Sequence, residues 1–456
     1  MDNLTLEFQF HKKLHFTSLI IGRSTEEREE KMGKNRVEDD KRVKKRSILL
    51  LISLLCCTFL QLLVELPEFH KAQISKIEPR AIGIWQNIVK IEKVPSNEIV
   101  SVTSGSGYQM SEKLEVVYKL FGIFPLRTSE IQVMSPMNLL PGGHSIGVTL
   151  QTKGVMVVGL APVVNNGKNA FPAKESGIEV GDILMKINNQ EVRTDLEVSN
   201  AVNLAGEQKG MANIMVKHDR KILEKSVTPI YCEETKRYRM GLFVRDEAAG
   251  VGTLSFYDPV SKQYGALGHV ITDADTNQKI EVFDGKIIAS SIYAIEKGKR
   301  GHPGEKVGSF ISNSIFSGTI EKNTLTGIFG TMSGKVENQY FKEAIPVGWE
   351  PEVKVGPAKI YTVIQGEKIE EFEVNIDRVM HNRTDSKNMI VRVTDPRLLD
   401  ITGGIIQGMS GSPIIQDGKI IGAVTHVFVN DSQRGYGVFI QNMLNDAKQL
   451  DKNEAA

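Results

Sequence analysis

Gly408-Met409-Ser410-Gly411-Ser412-Pro413 sets a serine with a glycine two residues before it and another one residue after. A serine that attacks a carbonyl needs a tight turn that exposes its Oγ, and backbone N–H groups aimed at the oxyanion that forms. Glycines at 408 and 411 permit that turn, and Ser412-Pro413-Ile414-Ile415 begins an apolar hairpin able to hold it rigid. At neutral pH such a serine also needs a general base. Beyond the N-terminal head and the apolar run the histidines are His70, His144, His269, His302, His381 and His426. His269 lies in the glycine-flanked, strand-like Tyr264-Gly265-Ala266-Leu267-Gly268-His269-Val270-Ile271, 141 residues before Ser410. His426 falls on the strand after the hairpin. For the orienting carboxylate, Asp273 and Asp275 are near His269 in sequence, and Asp377 and Asp395 fall in the order His, Asp, Ser. Asp395 stands 15 residues before Ser410, ahead of Pro396, where a turn-capping role fits equally well. The chemistry implied is acyl transfer, with no metal and no cofactor.

The elements that must position these groups are almost all β from about 230 to 441. Asp-Gly between apolar runs marks a hairpin, and it occurs at Asp284-Gly285 and Asp417-Gly418. Further strands are expected at 251–257, 358–364, 371–376 and 389–393, and a helix at 442–450. Many short strands over this length predict two linked β-barrels. Composition narrows the class: Lys and Arg number 56 against 55 Asp and Glu, which leaves no global basic field for nucleic acid. Of three cysteines, Cys56 and Cys57 sit in an apolar run and Cys232 stands alone, which excludes a disulfide framework and a thiolate metal site elsewhere.

At the N-terminal end, Lys41-Arg42-Val43-Lys44-Lys45-Arg46 precedes the apolar run from Ile48 to Val64. Its length is at the low edge of a membrane span, and the basic cluster predicts a cytoplasmic N-terminus with the remainder exported. Glu65-Leu66-Pro67-Glu68-Phe69 offers no small-residue cleavage site, so an uncleaved anchor is expected rather than a removed signal. The expected organisation is a cytoplasmic head at 1–46, with 1–31 read as an upstream extension before Met32. An anchor at 47–66, a β stalk at 67–136, a peptide-binding module at 137–229, a catalytic domain at 230–446 and a tail at 447–456 follow.

Three resemblances sharpen this. The Ser410 pattern with its trailing Pro413 and hairpin resembles the chymotrypsin-like serine peptidases, which implies Ser410 as nucleophile and the N–H groups of Gly408 and Ser410 as the oxyanion hole. The run from Ala173 to Asn188, with Ser176-Gly177-Ile178 and Gly181-Asp182, resembles a PDZ domain. That implies a loop, Ser145-Ile146-Gly147-Val148, whose backbone receives a peptide C-terminus as an added strand, with His144 and Ser145 side chains as solvated turn residues. The exported chain as a whole resembles the SpoIVB peptidases of endospore-forming bacteria. The residues that carry this are Gly250-Val251-Gly252-Thr253-Leu254 with Tyr257-Asp258-Pro259, Gly265 to His269, and the long run from Gly403 to Val438. The resemblance implies a triad of Ser410, His269 and Asp395. It also implies an enzyme exported from the forespore that cleaves its own N-terminal region. Its target would be the extracytoplasmic part of a membrane regulator of an intramembrane protease, releasing a late mother-cell sigma factor. Quality-control proteases of the HtrA type place the PDZ after the peptidase, against the order here. The other readings are that type of protease and a catalytically dead, membrane-tethered PDZ adaptor.

Overall fold

The computed structural model describes residues 44–55, 89–95, 112–133 apart from Gly122, and 136–448 apart from Arg220, Asn382 and Thr384. Expectations for the head before residue 44, for the apolar run beyond residue 55 and for the tail beyond residue 448 lie outside the described residues. Residues 1–70 and 71–456 form two separate compact units. In the first, residues 44–55 are helical with exposed side chains; no helix among the described residues is long and apolar enough to cross a membrane. In the second, an antiparallel sheet of Val89–Pro95, Glu112–Leu120 and Phe124–Val133 comes first.

Two six-stranded barrels follow. The first joins Ser145–Leu160, Val282–Glu296, Phe316–Thr319, Gly327–Gly334, Gln263–Ala266 and Leu242–Tyr257, and closes by pairing the last of these with the first. The second joins Gly356–Val363, Ile369–Val379, Met389–Val393, Asp431–Phe439, Lys419–Phe428 and Pro413–Gln416 into a closed ring. Alternation along these strands turns Ile360, Phe372, Val374, Ile376, Val391 and Ile414 inward to one apolar core, whose burial is the main driving force for closing the barrel. The helix Ile440–Lys448 ends the described chain, with Met443, Leu444 and Ala447 buried.

The hairpin at Asp417-Gly418 is present: both residues have positive φ, 50° and 75°, the left-handed pair a two-residue hairpin turn requires. The hairpin expected at Asp284-Gly285 is not, because Val282–Glu296 runs straight through it. Gly285 instead permits close approach, since a Cβ there would lie 2.7 Å from the Leu150 side chain. A bulge beside it absorbs the misfit.

The peptide-binding module contains Ile183–Ile187, Ala212–His218, Lys221–Val227 and the helix Asp195–Glu207, packed around Val155, Val157, Ile178, Leu184 and Ile214. The helix begins at a capping box formed by Thr194 and Glu197, the arrangement that satisfies its free N–H groups. Its first strand is the far half of Ser145–Leu160. At Gly154 (φ 140°) that strand passes from the barrel to the module, and no side chain fits there because a Cβ would meet the Leu184 carbonyl at 2.7 Å. Leu242–Tyr257 runs antiparallel to it along both halves. Two continuous strands therefore join the modules, with no loop between them.

Candidate active site

Ser410 stands on the loop between the helix Pro396–Thr402 and the strand Pro413–Gln416. Met409 is fully buried and anchors the turn; its N–H reaches the Ile406 carbonyl and its own carbonyl accepts from Ser412 Oγ at 2.6 Å. Gly411 has φ 97°, and a Cβ there would sit 2.0 Å from the Thr253 carbonyl oxygen and 2.6 Å from the Leu267 nitrogen, so only glycine fits. The Gly411 N–H donates to the Val424 carbonyl, and the Ser410 carbonyl accepts from the Thr253 N–H at 3.0 Å. These bonds tie the loop to both barrels. The N–H groups of Gly408 and Ser410 have no acceptor among the described residues, and both residues line the same cleft. They are the two donors an oxyanion would find.

His269 follows the strand Gln263–Ala266. Leu267 and Gly268 both take positive φ, 68° and 73°, which turns the chain sharply and delivers His269 to the cleft. A left-handed leucine is a strained choice of the kind found at functional sites. Its side chain is held against Gly252, where a Cβ would lie 2.0 Å from it. His269 Nδ1 is 2.8 Å from the Val270 carbonyl. A carbonyl only accepts, so the proton is on Nδ1 and Nε2 carries the lone pair a base needs. Burial lowers the imidazole's proton affinity, which keeps it neutral at pH 7. The His426 ring lies 4.8 Å away, tilted by 40°, and its pKa is pushed down to about 4 by burial and then by the neighbouring His269. Ser410, His269 and His426 share a cleft of about 690 Å³, walled on one side by Ala248 to Val251 and on the other by Ile406 to Gly408. In this state the Ser410 hydroxyl donates to the Thr425 carbonyl at 2.5 Å. Turning that hydroxyl toward His269 is the motion that would activate it.

The expected third member is placed elsewhere. Asp395 is the N-cap of Pro396–Thr402, accepting from the Arg397 and Leu398 N–H groups at 2.9 and 3.4 Å. It also pairs with the Arg397 guanidinium at 3.2 Å. Burial raises its pKa, but the Arg397 side chain and the backbone donors outweigh that and hold it below the ordinary Asp value. It does not line the cleft, and among the described residues no carboxylate hydrogen-bonds His269. The turn-capping role is the one its contacts describe. Asp377 is bound to Arg392 and Arg434. Asp273 borders the cleft but holds Arg245 at 2.7 Å and its own turn.

The Ser145–Val148 segment is also placed elsewhere than expected. It is a buried barrel strand: Ile146, Gly147 and Val148 pair with Gly252, Val251 and Gly250 on one side and Ala289, Ile288 and Ile287 on the other. With both edges taken, no peptide can add there, so the expected carboxylate-binding loop is corrected. His144 is not a solvated turn residue either; it packs edge-on against Phe316 and bonds the Glu337 carbonyl through Nε2. In the module itself, the helix Asp195–Glu207 carries the chain's own segment Arg237–Arg239. The Tyr238 N–H donates to Asn203, Arg237 donates to Asn200, and the Tyr238 ring lies where a Gly206 Cβ would be.

Ser410, a neutral histidine and two free backbone donors meet at the junction of two β-barrels, the arrangement a serine peptidase requires. Residues 236–444 match the family model of the SpoIVB peptidase S55, and residues 145–228 match that of the PDZ domain. By these matches the two stretches are similar to a SpoIVB-type peptidase domain and to a PDZ domain. Among solved structures it is similar to the active form of the Rv3671c protease from M. tuberculosis, at 12% identity over 44% of this chain and 74% of that one, TM-score 0.26. It is also similar to the thermostable serine protease AL20 from an extremophilic microorganism, at 10% identity over 44% and 91%, TM-score 0.28.

The sequence does not announce Thr253 and Thr425, since each acts through a partner more than 15 positions away or on another strand.

Proposed function

We propose that the protein is a membrane-anchored, exported serine endopeptidase that signals during sporulation. It leaves the forespore for the space between the two membranes, cleaves its own N-terminal region and is released. It then cuts the extracytoplasmic part of a membrane regulator that restrains an intramembrane protease, so that a late mother-cell sigma factor is freed from its precursor. The observation that carries the catalytic part is the meeting of Ser410, His269 and the free Gly408 and Ser410 N–H groups in one cleft. The match to the SpoIVB peptidase domain supports the signalling part, as does the order of basic cluster, apolar run, PDZ domain and peptidase along the chain.

In the proposed reaction His269 Nε2 takes the Ser410 proton as Oγ attacks the scissile carbonyl, and the two N–H groups receive the developing oxyanion. Protonated His269 then supplies the leaving amine with its proton, and water repeats the sequence to free the acid. The Val270 carbonyl holds the imidazole in the required tautomer. The test is a reporter of late mother-cell gene expression in an endospore-forming strain lacking this gene. The wild-type chain should restore expression and Ser410→Ala should not. Restoration by Ser410→Ala, or normal expression without the gene, overturns the signalling role.

A further inference from the structure

Lys306, on the strand Glu305–Phe310, is only 4% exposed, directly beneath the nucleophile loop. A Cβ on Gly408 would lie 3.1 to 3.2 Å from three carbons of its stem, and its N–H donates to the Gln407 carbonyl. Its ammonium reaches Thr362 Oγ1 at 2.6 Å and Thr253 Oγ1 at 3.5 Å. Thr253 Oγ1 in turn donates to the Gly408 carbonyl at 2.7 Å, while the Thr253 N–H holds the Ser410 carbonyl. A relay therefore runs from a buried lysine through one hydroxyl to the peptide that follows an oxyanion-hole residue.

We infer that Lys306 is a positioning residue of the oxyanion loop: its ammonium, directed at the Thr253 hydroxyl, turns that hydroxyl's hydrogen onto the Gly408 carbonyl and so keeps the Gly408 and Ser410 N–H groups facing the cleft. The inference deepens the peptidase reading of Ser410 and rests on it. The reason is the donor count. An ammonium has three hydrogens and no lone pair, so Thr253 can only accept from it and must give its own hydrogen elsewhere. A neutral amine has a lone pair and competes with the Gly408 carbonyl for that hydrogen.

Four elements pack against Lys306. Leu242–Tyr257 presents Thr253, Gly356–Val363 presents Thr362, Val282–Glu296 presents the cross-strand Ile295, and the loop presents Gln407 and Gly408. None of these is charged. Glu305 beside it and Glu296 on the paired strand are exposed. Burial alone lowers the Lys306 pKa, to about 7, so the relay changes form near neutral pH.

The test uses the full chain and a fluorophosphonate probe, whose rate of attachment to Ser410 reports both nucleophile and oxyanion hole. Losing one oxyanion donor costs roughly 10²–10³ in rate, so a donor misaligned part of the time is expected to cost about tenfold. Wild-type labelling should rise as His269 loses its proton and fall again, by about tenfold, between pH 7 and 9. Lys306→Met and Thr253→Val should each be about tenfold slower at pH 7 and show no alkaline fall. Lys306→Arg, permanently charged, should keep its rate at pH 9. Superimposable profiles for wild type and Lys306→Met, or for wild type and Thr253→Val, would overturn the inference while leaving Ser410 as nucleophile. Labelling of a folded Ser410→Ala chain at the wild-type rate would overturn the peptidase reading itself.

Discussion

Replacing Lys306 by methionine should make the protein more stable. The ammonium is buried against two hydroxyls, with no carboxylate among the described residues to offset its desolvation, and its pKa falls from an ordinary 10.5 to about 7. At about 1.4 kcal/mol per pH unit, keeping that charge inside costs roughly 5 kcal/mol at pH 7 and below. Methionine preserves the stem that packs under Gly408 and removes the charge. It also leaves the buried Thr362 hydroxyl without its partner, which costs about 1–2 kcal/mol. The net expectation is a gain of about 3 kcal/mol at pH 7. The sign with pH follows from linkage: between 7 and 10.5 the unfolded chain holds a proton that the native state lacks. Wild-type stability therefore rises with pH across that window, and the advantage of Lys306→Met shrinks and vanishes by about pH 10. Urea denaturation of the full chain at pH 6 to 10, followed by Trp349 emission in a Trp85→Phe background, reads this directly, because Trp349 is buried in an apolar cluster that residues of both barrels share with the C-terminal helix. A variant less stable than wild type at pH 7, or a difference that does not change with pH, would refute the reasoning. More stability with slower chemistry is what strain kept for function looks like.

Gly411→Ala should cost more than about 3 kcal/mol, since its Cβ would overlap backbone on both sides and φ is positive; loss of soluble protein or a large drop in urea midpoint checks it. Asp395→Ala should cost about 1–2 kcal/mol and lower turnover through the helix that feeds the loop. Asp395→Asn, which keeps a capping oxygen, should recover most of both; equal loss of turnover in the two variants would return Asp395 to the side of His269. Because the Asp395 pKa is held down, its contribution is full above the ordinary Asp value and is lost as pH falls through the folded one. The acid limb of kcat/KM should lie below pH 6.5, because burial lowers the proton affinity of His269; a limb above pH 7 would contradict a neutral buried base.

The parts of the site legible in the sequence were those whose chemistry is local. Gly408, Ser410 and Gly411 are a turn written in adjacent residues, and Asp417-Gly418 is a hairpin for the same reason. His269 could be chosen because it lies in a glycine-flanked segment 141 residues before Ser410; the left-handed turn at Leu267 and Gly268 that replaces the expected strand was not legible there. What failed was long-range. Ser145 to Val148 read as a peptide-receiving loop because the PDZ resemblance of 173–188 placed it there. In the fold Gly147 lies against the Phe310 ring, which a Cβ would meet at 2.3 Å, so that glycine marks close packing inside a barrel. The strand Ser145–Leu160 serves two modules, and nothing in a linear pattern states that its partner changes at Gly154. Asp395 could be read either way, and its cap geometry decided it. Lys306 looks like any lysine in an alternating strand; only the closure of two barrels over it makes it buried.

The most direct measurement of the central claim is incubation of the purified full chain, wild type and Ser410→Ala side by side, with N-terminal sequencing of every fragment that forms. Discrete new N-termini upstream of the peptidase domain are expected in the wild type. None is expected in a Ser410→Ala chain whose urea denaturation is unchanged. The same fragments, at the same rate, from that folded variant would contradict the claim.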